Sequence, residues 1–180
     1  MRTFSAPIAI AIAMVGLTIV SLALPATANA TDKRDGENVM TSATTTQQRN
    51  KAAVQDRFTA WANGTGSPFE LLAEDATWTI TGRSAASKTY GDREAFLREV
   101  IRPFNARMQA PLKPVVHNIY ADGDTVVIFF DASAVARDGK PYENTYTWYL
   151  EMRDRKAVKA TAMFDSIEFN DLWSRVQPSQ

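Results

Sequence analysis

Two aspartates and one histidine are the residues of this chain best suited to acid–base chemistry. Asp131 follows five apolar residues, Val126 to Phe130, and Asp165 follows Met163-Phe164 at the end of another apolar segment. A carboxyl in such a setting loses hydration, which disfavours its charged form and raises its pKa toward the range of a general acid or base. His117 is the only histidine, placed between Val115 and Ile119, and is a candidate proton shuttle working with Asp131. Each has a plainer alternative. Either aspartate can end a strand and bond backbone amides, Asp165 can cap a helix beginning at Ser166, and His117 can be a satisfied core residue.

Composition narrows the chemistry further. The 180 residues are 45% hydrophobic and 22% charged, ordinary for one soluble domain. The absence of cysteine excludes disulfides, thiol catalysis, iron–sulfur clusters, thiolate zinc and a lipid-anchoring cysteine, and a single histidine excludes a multi-histidine metal site. Twenty basic against twenty acidic residues give no surplus for nucleic acid. There is no nucleotide, metal or nucleophile-elbow signature, so no cofactor is expected.

These residues must be positioned by a domain that begins well inside the chain. Arg2, an uncharged apolar run from Ile8 to Leu24, Pro25 and Ala28-Asn29-Ala30 read as a signal peptide over residues 1–30. The mature protein is therefore expected to be exported, periplasmic or secreted, and without a membrane anchor. Residues 31–48 are polar and Thr/Ser-rich and read as a flexible lead-in, leaving the domain at 49–177. Ala53, Val54, Phe58 and Trp61 fall at helical spacing, closed by Asn63-Gly64. Ser67-Pro68 opens a short helix, Ala76 to Thr81 is a strand, and Gly82 to Gly91 a loop. Asp92 caps a long helix that Pro103 kinks or interrupts. Four strands follow at 114–120, 125–135, 142–152 and 157–165, with Asp122-Gly123, Asp138-Gly139 and 153–156 as turns. Glu168 to Val176 is a last helix, with Trp173 pinning it. Helices early and antiparallel strands late predict an α+β domain, helices covering one face of a curved sheet.

This order resembles the nuclear transport factor 2-like superfamily, the cone-shaped α+β barrel of ketosteroid isomerases and SnoaL-like cyclases. The resemblance is carried by Ala73-Glu74-Asp75-Ala76-Thr77-Trp78, by Tyr90-Gly91-Asp92-Arg93-Glu94-Ala95-Phe96, by 138–146 at a hairpin and by Met163-Phe164-Asp165. The layout from Asp131 to Asp165 is also similar to limonene-epoxide hydrolases, whose two catalytic carboxylates stand there. Phe129, Trp78 and Ile80 replace that family's arginine, tyrosine and asparagine, so epoxide hydrolysis is not carried across.

The resemblance implies that Asp131 points into the cone. Alternation then puts Val127, Phe129 and Asp131 on one face, with Asn144, Tyr146 and Trp148 on the next strand and Thr161, Met163 and Asp165 on the last. With Trp61 and Trp78 this makes a mostly aromatic cavity for a small hydrophobic or carbonyl-containing molecule, with Asn144 and Tyr146 as hydrogen-bond donors. The tryptophans serve equally as core. On the same parity Ile128, Phe130, Tyr149 and Tyr120 face outward, an apolar patch that predicts a homodimer through the convex sheet face. The expected function is binding of a small molecule, with cofactor-free proton transfer of the isomerase, cyclase or hydratase type. The alternative is a non-catalytic ligand-binding or protein-interaction module.

Overall fold

The computed structural model describes residues 30–178, so the expected signal peptide lies, apart from Ala30, outside the described residues. The first element is helix α1, Ala30–Ala62. Residues 31–48, expected as an irregular lead-in, are thus the first half of this helix. They lack an apolar stripe, so no helical periodicity marks them in the sequence. Phe58 and Trp61 on its last turns reach the sheet, Phe58 meeting Phe130 and Trp148 edge to face at 5.0 and 5.5 Å.

A 3₁₀ turn, Pro68–Leu71, follows with a full capping box. Ser67 Oγ accepts from the Phe69 amide, and the Ser67 amide donates to Glu70 Oε1. Strands β1 (Leu72–Ile80) and β2 (Thr89–Tyr90) pair antiparallel, so the expected loop holds a short edge strand. Asp92 caps the next helix, its carboxylate accepting from the Ala95 amide at 2.7 Å. That helix runs as α2 (Arg93–Phe96), a π turn (Leu97–Ile101) and α3 (Arg102–Asn105). The Arg102 amide bonds Leu97 O, five residues back. The widened turn lies directly before Pro103, whose nitrogen cannot donate and whose ring crowds the carbonyl four residues earlier.

The remaining strands are β3 (Lys113–Asp122), β4 (Thr125–Val135), β5 (Pro141–Arg153) and β6 (Lys156–Phe164), followed by α4 (Ser166–Arg175). They form one six-stranded sheet, β2-β1-β6-β5-β4-β3, antiparallel except where β1 runs parallel to β6. Gly139 turns the β4–β5 hairpin at φ +84°, and the β5–β6 turn sets Asp154 and Arg155 at φ +51° and +62°, a conformation that suits glycine and asparagine better.

One face of the sheet is covered by the helices. Its cross-strand rows are Ile128–Trp148–Ala162–Ile80 and Val126–Leu150–Ala160–Trp78, all buried. Ile128 and Phe130, expected to face outward, therefore belong to the core. Below the helices, buried Arg107 donates to Pro103 O at 2.8 Å and to Trp173 O at 3.5 Å, with its guanidinium 3.9 Å from the Trp173 ring. It has no carboxylate partner among the described residues, and these carbonyls near the ends of α3 and α4 supply the negative potential that keeps it.

Candidate functional site

Between the helices and the sheet lies a cavity of about 410 Å³. Its inner wall is aromatic. Trp78 stacks on Phe96 at 4.3 Å and stands perpendicular to Trp148 at 4.9 Å, while Phe130 stacks on Tyr146 at 5.0 Å. Trp61 lies parallel to Trp148 at 6.5 Å. Leu97, Val100, Ile101 and Phe104 bring the π turn and α3 to the same space. Ser67, Glu70, Arg93 and Asn105 line it where the wall reaches solvent. Of the expected lining residues, Trp61, Trp78, Tyr146 and Trp148 are there.

Asp131, His117, Phe129 and Met163 are not. In β4 the even-numbered residues are buried, and Phe129 and Asp131 lie on the opposite, convex face. Register explains it: Phe130 pairs with Tyr146 and Asp131 with Thr145, and paired residues share a face. Phe130 and Tyr146 are the larger apolar pair and take the interior. Met163 pairs with Thr147 and so faces outward too. His117 sits in a β-bulge, the register shifting between Val116 and Asn118, and the extra residue leaves it unpaired on the convex side. The bulge also leaves Tyr120 outward, as expected, although His117 is not inside.

His117 and Asp131 do meet, though outside the cavity. His117 Nε2 donates to Asp131 Oδ2 at 2.7 Å, and Thr145 Oγ1 donates to Asp131 Oδ1 at 2.7 Å. Both side chains are partly exposed, at 37% and 49%. The hydrogen bond from Thr145, then that from His117, holds the Asp131 carboxyl below its ordinary 3.8, the reverse of the expected rise. Of the apolar run that suggested desolvation, only Val126, Ile128 and Phe130 are buried, on the other face, while Phe129 beside Asp131 is itself exposed. Asp165 is the N-cap of α4, its carboxylate accepting from the Ile167 amide at 2.8 Å. It does not reach the cavity.

Asn144 is buried, behind the cavity wall rather than in it. Its side chain copies a strand pairing: Oδ1 accepts from the Asp165 amide and Nδ2 donates to Asp165 O, both at 2.9 Å. Nδ2 also donates to Tyr142 Oη at 3.0 Å, and Tyr142 Oη lies 2.8 Å from Tyr146 Oη. Burial pushes the Tyr142 phenol up to about 12 and Tyr146 well above 10, so both stay protonated. Tyr142 Oη accepts from Asn144 and shares a further bond with Tyr146 Oη, in which either hydroxyl can donate. Trp78 Nε1 is buried with no partner among the described residues. Sequence reading missed Arg93 altogether, because a charged residue opening a helix looks like solvated surface. The described residues contain no group of three or more metal-ligating side chains.

A family model described as SnoaL-like domain matches residues 54–160. No curated protein matches. Among solved structures, Bal32a from a soil-derived mobile gene cassette is 22% identical, covering 71% of this chain and 98% of that one, with a TM-score of 0.59. A putative SnoaL-like polyketide cyclase from Jannaschia sp. CCS1 is 13% identical over 72% and 94%, TM-score 0.57. TerC, co-crystallised with polyporic acid, is 17% identical over 69% and 98%, TM-score 0.56. At these identities the likeness is one of fold, the nuclear transport factor 2-like α+β cone.

Proposed function

We propose, from the premise that this chain belongs to the SnoaL-like domain family, that it binds a flat, mainly apolar small molecule in the aromatic cavity. The observation that carries this is the cavity wall, in which Trp78, Phe96, Trp148, Phe130 and Tyr146 surround about 410 Å³ with few polar groups. Such a wall suits a planar ring system, which gains stacking contacts as well as burial. TerC, of the same fold, holds polyporic acid in its crystal, so a ligand of that size range is in keeping with this fold.

Binding without proton transfer is the reading that the geometry favours. Asp131, Asp165 and His117 lie away from the cavity, and Glu70 is the one carboxylate lining it among the described residues. Both Glu70 oxygens are engaged, by the Ser67 amide and by Arg57 Nη1 at 2.7 Å. Cyclase or isomerase chemistry here would rest on hydrogen-bond polarisation by neutral donors, without a free base. The test is native mass spectrometry and calorimetry with the wild type and Ala162→Phe, which puts a ring into the cavity floor. A retained organic molecule, lost with Ala162→Phe while the fold persists, is expected. Binding that Ala162→Phe leaves unchanged would place the ligand elsewhere and overturn the reading.

We also infer that the convex sheet face pairs with a second copy. It carries Phe129, Tyr149 and Met163 on β4, β5 and β6 and Val115 and Tyr120 on the edge strand β3, all exposed, in rows such as Phe129–Thr147–Met163. The polar side chains His117 and Asp131 among them already bond one another, so a two-fold copy can cover them without stranding either. Phe129→Asp should convert a dimer to a monomer by light scattering, and a wild-type monomer at micromolar concentration would refute the pairing. Export is proposed on the signal-like N-terminus, and sequencing the mature protein should begin at Thr31.

A further inference from the structure

We propose that the cavity selects an organic acid: a planar apolar body whose anionic oxygen meets Arg93 and whose inner oxygen accepts from Trp78 Nε1–H. The proposal rests on the ligand-binding reading above and adds the chemistry of the ligand.

Two observations on different elements converge on it. Trp78 is 2% exposed, lines the cavity, and its indole nitrogen has no hydrogen-bond partner among the described residues. A buried donor is normally satisfied, and one left open on a cavity wall is a place where an acceptor belongs.

The second observation is Arg93, the one cation lining the cavity among the described residues. It is half-buried at the first position of α2, where the helix dipole disfavours positive charge. The carboxylates beside it in sequence are committed elsewhere. Asp92 accepts from the Ala95 amide, and Glu94 takes both terminal nitrogens of Arg102 at 2.6 and 3.0 Å. No ion pair of Arg93 occurs among the described residues, and Arg57 already balances Glu70, the cavity's one carboxylate. A cation at a helix start, whose neighbour Glu94 is already bonded to Arg102, fits an anion supplied by the ligand. The cavity thus offers an open donor and a positive charge without a contact ion pair on an apolar wall, a demand met by oxygen acceptors and not by a hydrocarbon or an amine.

The experiment compares three probes with one ring system, 2-naphthoate, 2-acetylnaphthalene and 2-ethylnaphthalene, by calorimetry and by the tryptophan side-chain ¹H–¹⁵N signals. Trp78→Phe assigns the Trp78 signal. We expect the ketone to bind about tenfold more tightly than the hydrocarbon, the scale of one well-placed hydrogen bond, and the carboxylate about tenfold more tightly again. The Trp78 signal should move downfield with both oxygenated probes and not with 2-ethylnaphthalene. Arg93→Gln should bring the carboxylate to the ketone's affinity without changing the other two, and Arg93→Lys should restore most of its advantage. Equal affinity for all three probes, an unmoved Trp78 signal, or an Arg93→Gln that keeps the preference for the acid would overturn the proposal while leaving the ligand-binding reading intact. Failure of all three probes to bind would sink both.

Discussion

Replacing Asn144 by leucine tests whether this residue holds the fold behind the cavity or waits for a ligand. The side chain makes three hydrogen bonds of 2.9 to 3.0 Å, two to the Asp165 backbone and one to Tyr142 Oη. Each contributes about 1 kcal/mol net, and leucine of similar size fills the space but also strands the Asp165 amide and carbonyl, so the loss should be about 3 kcal/mol. In a domain of this length that is a fall in Tm of about 10 °C. Tyr142→Phe strands an Asn144 N–H and the Tyr146 hydroxyl and should cost about 2 kcal/mol. Urea denaturation measures both. Hydrogen exchange adds the spatial readout, because Asp165 caps α4 through Ile167 and Phe169. Asn144→Leu should expose those two amides to exchange, and Tyr142→Phe should not. A loss below about 1 kcal/mol with unchanged exchange at Ile167 would refute the reasoning and return Asn144 to the list of ligand donors.

Asp131 should titrate below its ordinary 3.8 by carboxyl NMR, and Thr145→Val, which removes the larger cause, should raise it. A depressed folded pKa gives stability that is present above the unfolded value and lost as pH falls through the folded one, so Thr145→Val should flatten the acid limb of the stability profile below about pH 4. Arg155→Gly relieves a left-handed residue in the β5–β6 turn and should raise stability by about 1 kcal/mol, read as a higher urea midpoint at unchanged slope. Arg107→Met loses the two carbonyl bonds and the Trp173 contact and should destabilise by about 2 kcal/mol by the same assay.

Turn and cap chemistry made most of the fold legible. Ser67-Pro68, Asp92 and the Asp-Gly pairs mark element ends by mechanisms that need no tertiary context. The facing of β4 was harder, because Val126 to Phe130 is apolar at every position and polarity marks neither phase. The information lay one strand further on. In β5, Tyr142, Asn144, Tyr146 and Trp148 alternate with Glu143, Thr145 and Thr147, and counting back across the Gly139 hairpin pairs Asp131 with Thr145, on the polar side. The resemblance to enzymes with a carboxylate in the cone outweighed that count. The bulge at His117 had no sequence mark at all, since Val116, His117 and Asn118 include neither glycine nor proline. Arg93 and the open indole of Trp78 become visible only when every hydrogen-bond donor is assigned an acceptor, which requires coordinates.

The crowding of tryptophan in the cavity wall gives the protein a built-in optical reporter. Trp61 and Trp78 lie 6.5 and 4.9 Å from Trp148, close enough for their excited states to couple and to share energy. Trp173, the last of the four, lies apart under the Arg107 guanidinium and against Phe169. Intrinsic emission and near-ultraviolet dichroism of this chain therefore report chiefly on the cavity and not on the molecule at large. A planar guest that intercalates beside Trp148 changes the signal without any unfolding, and a loosening of the outer strands that spares the cavity leaves it dark.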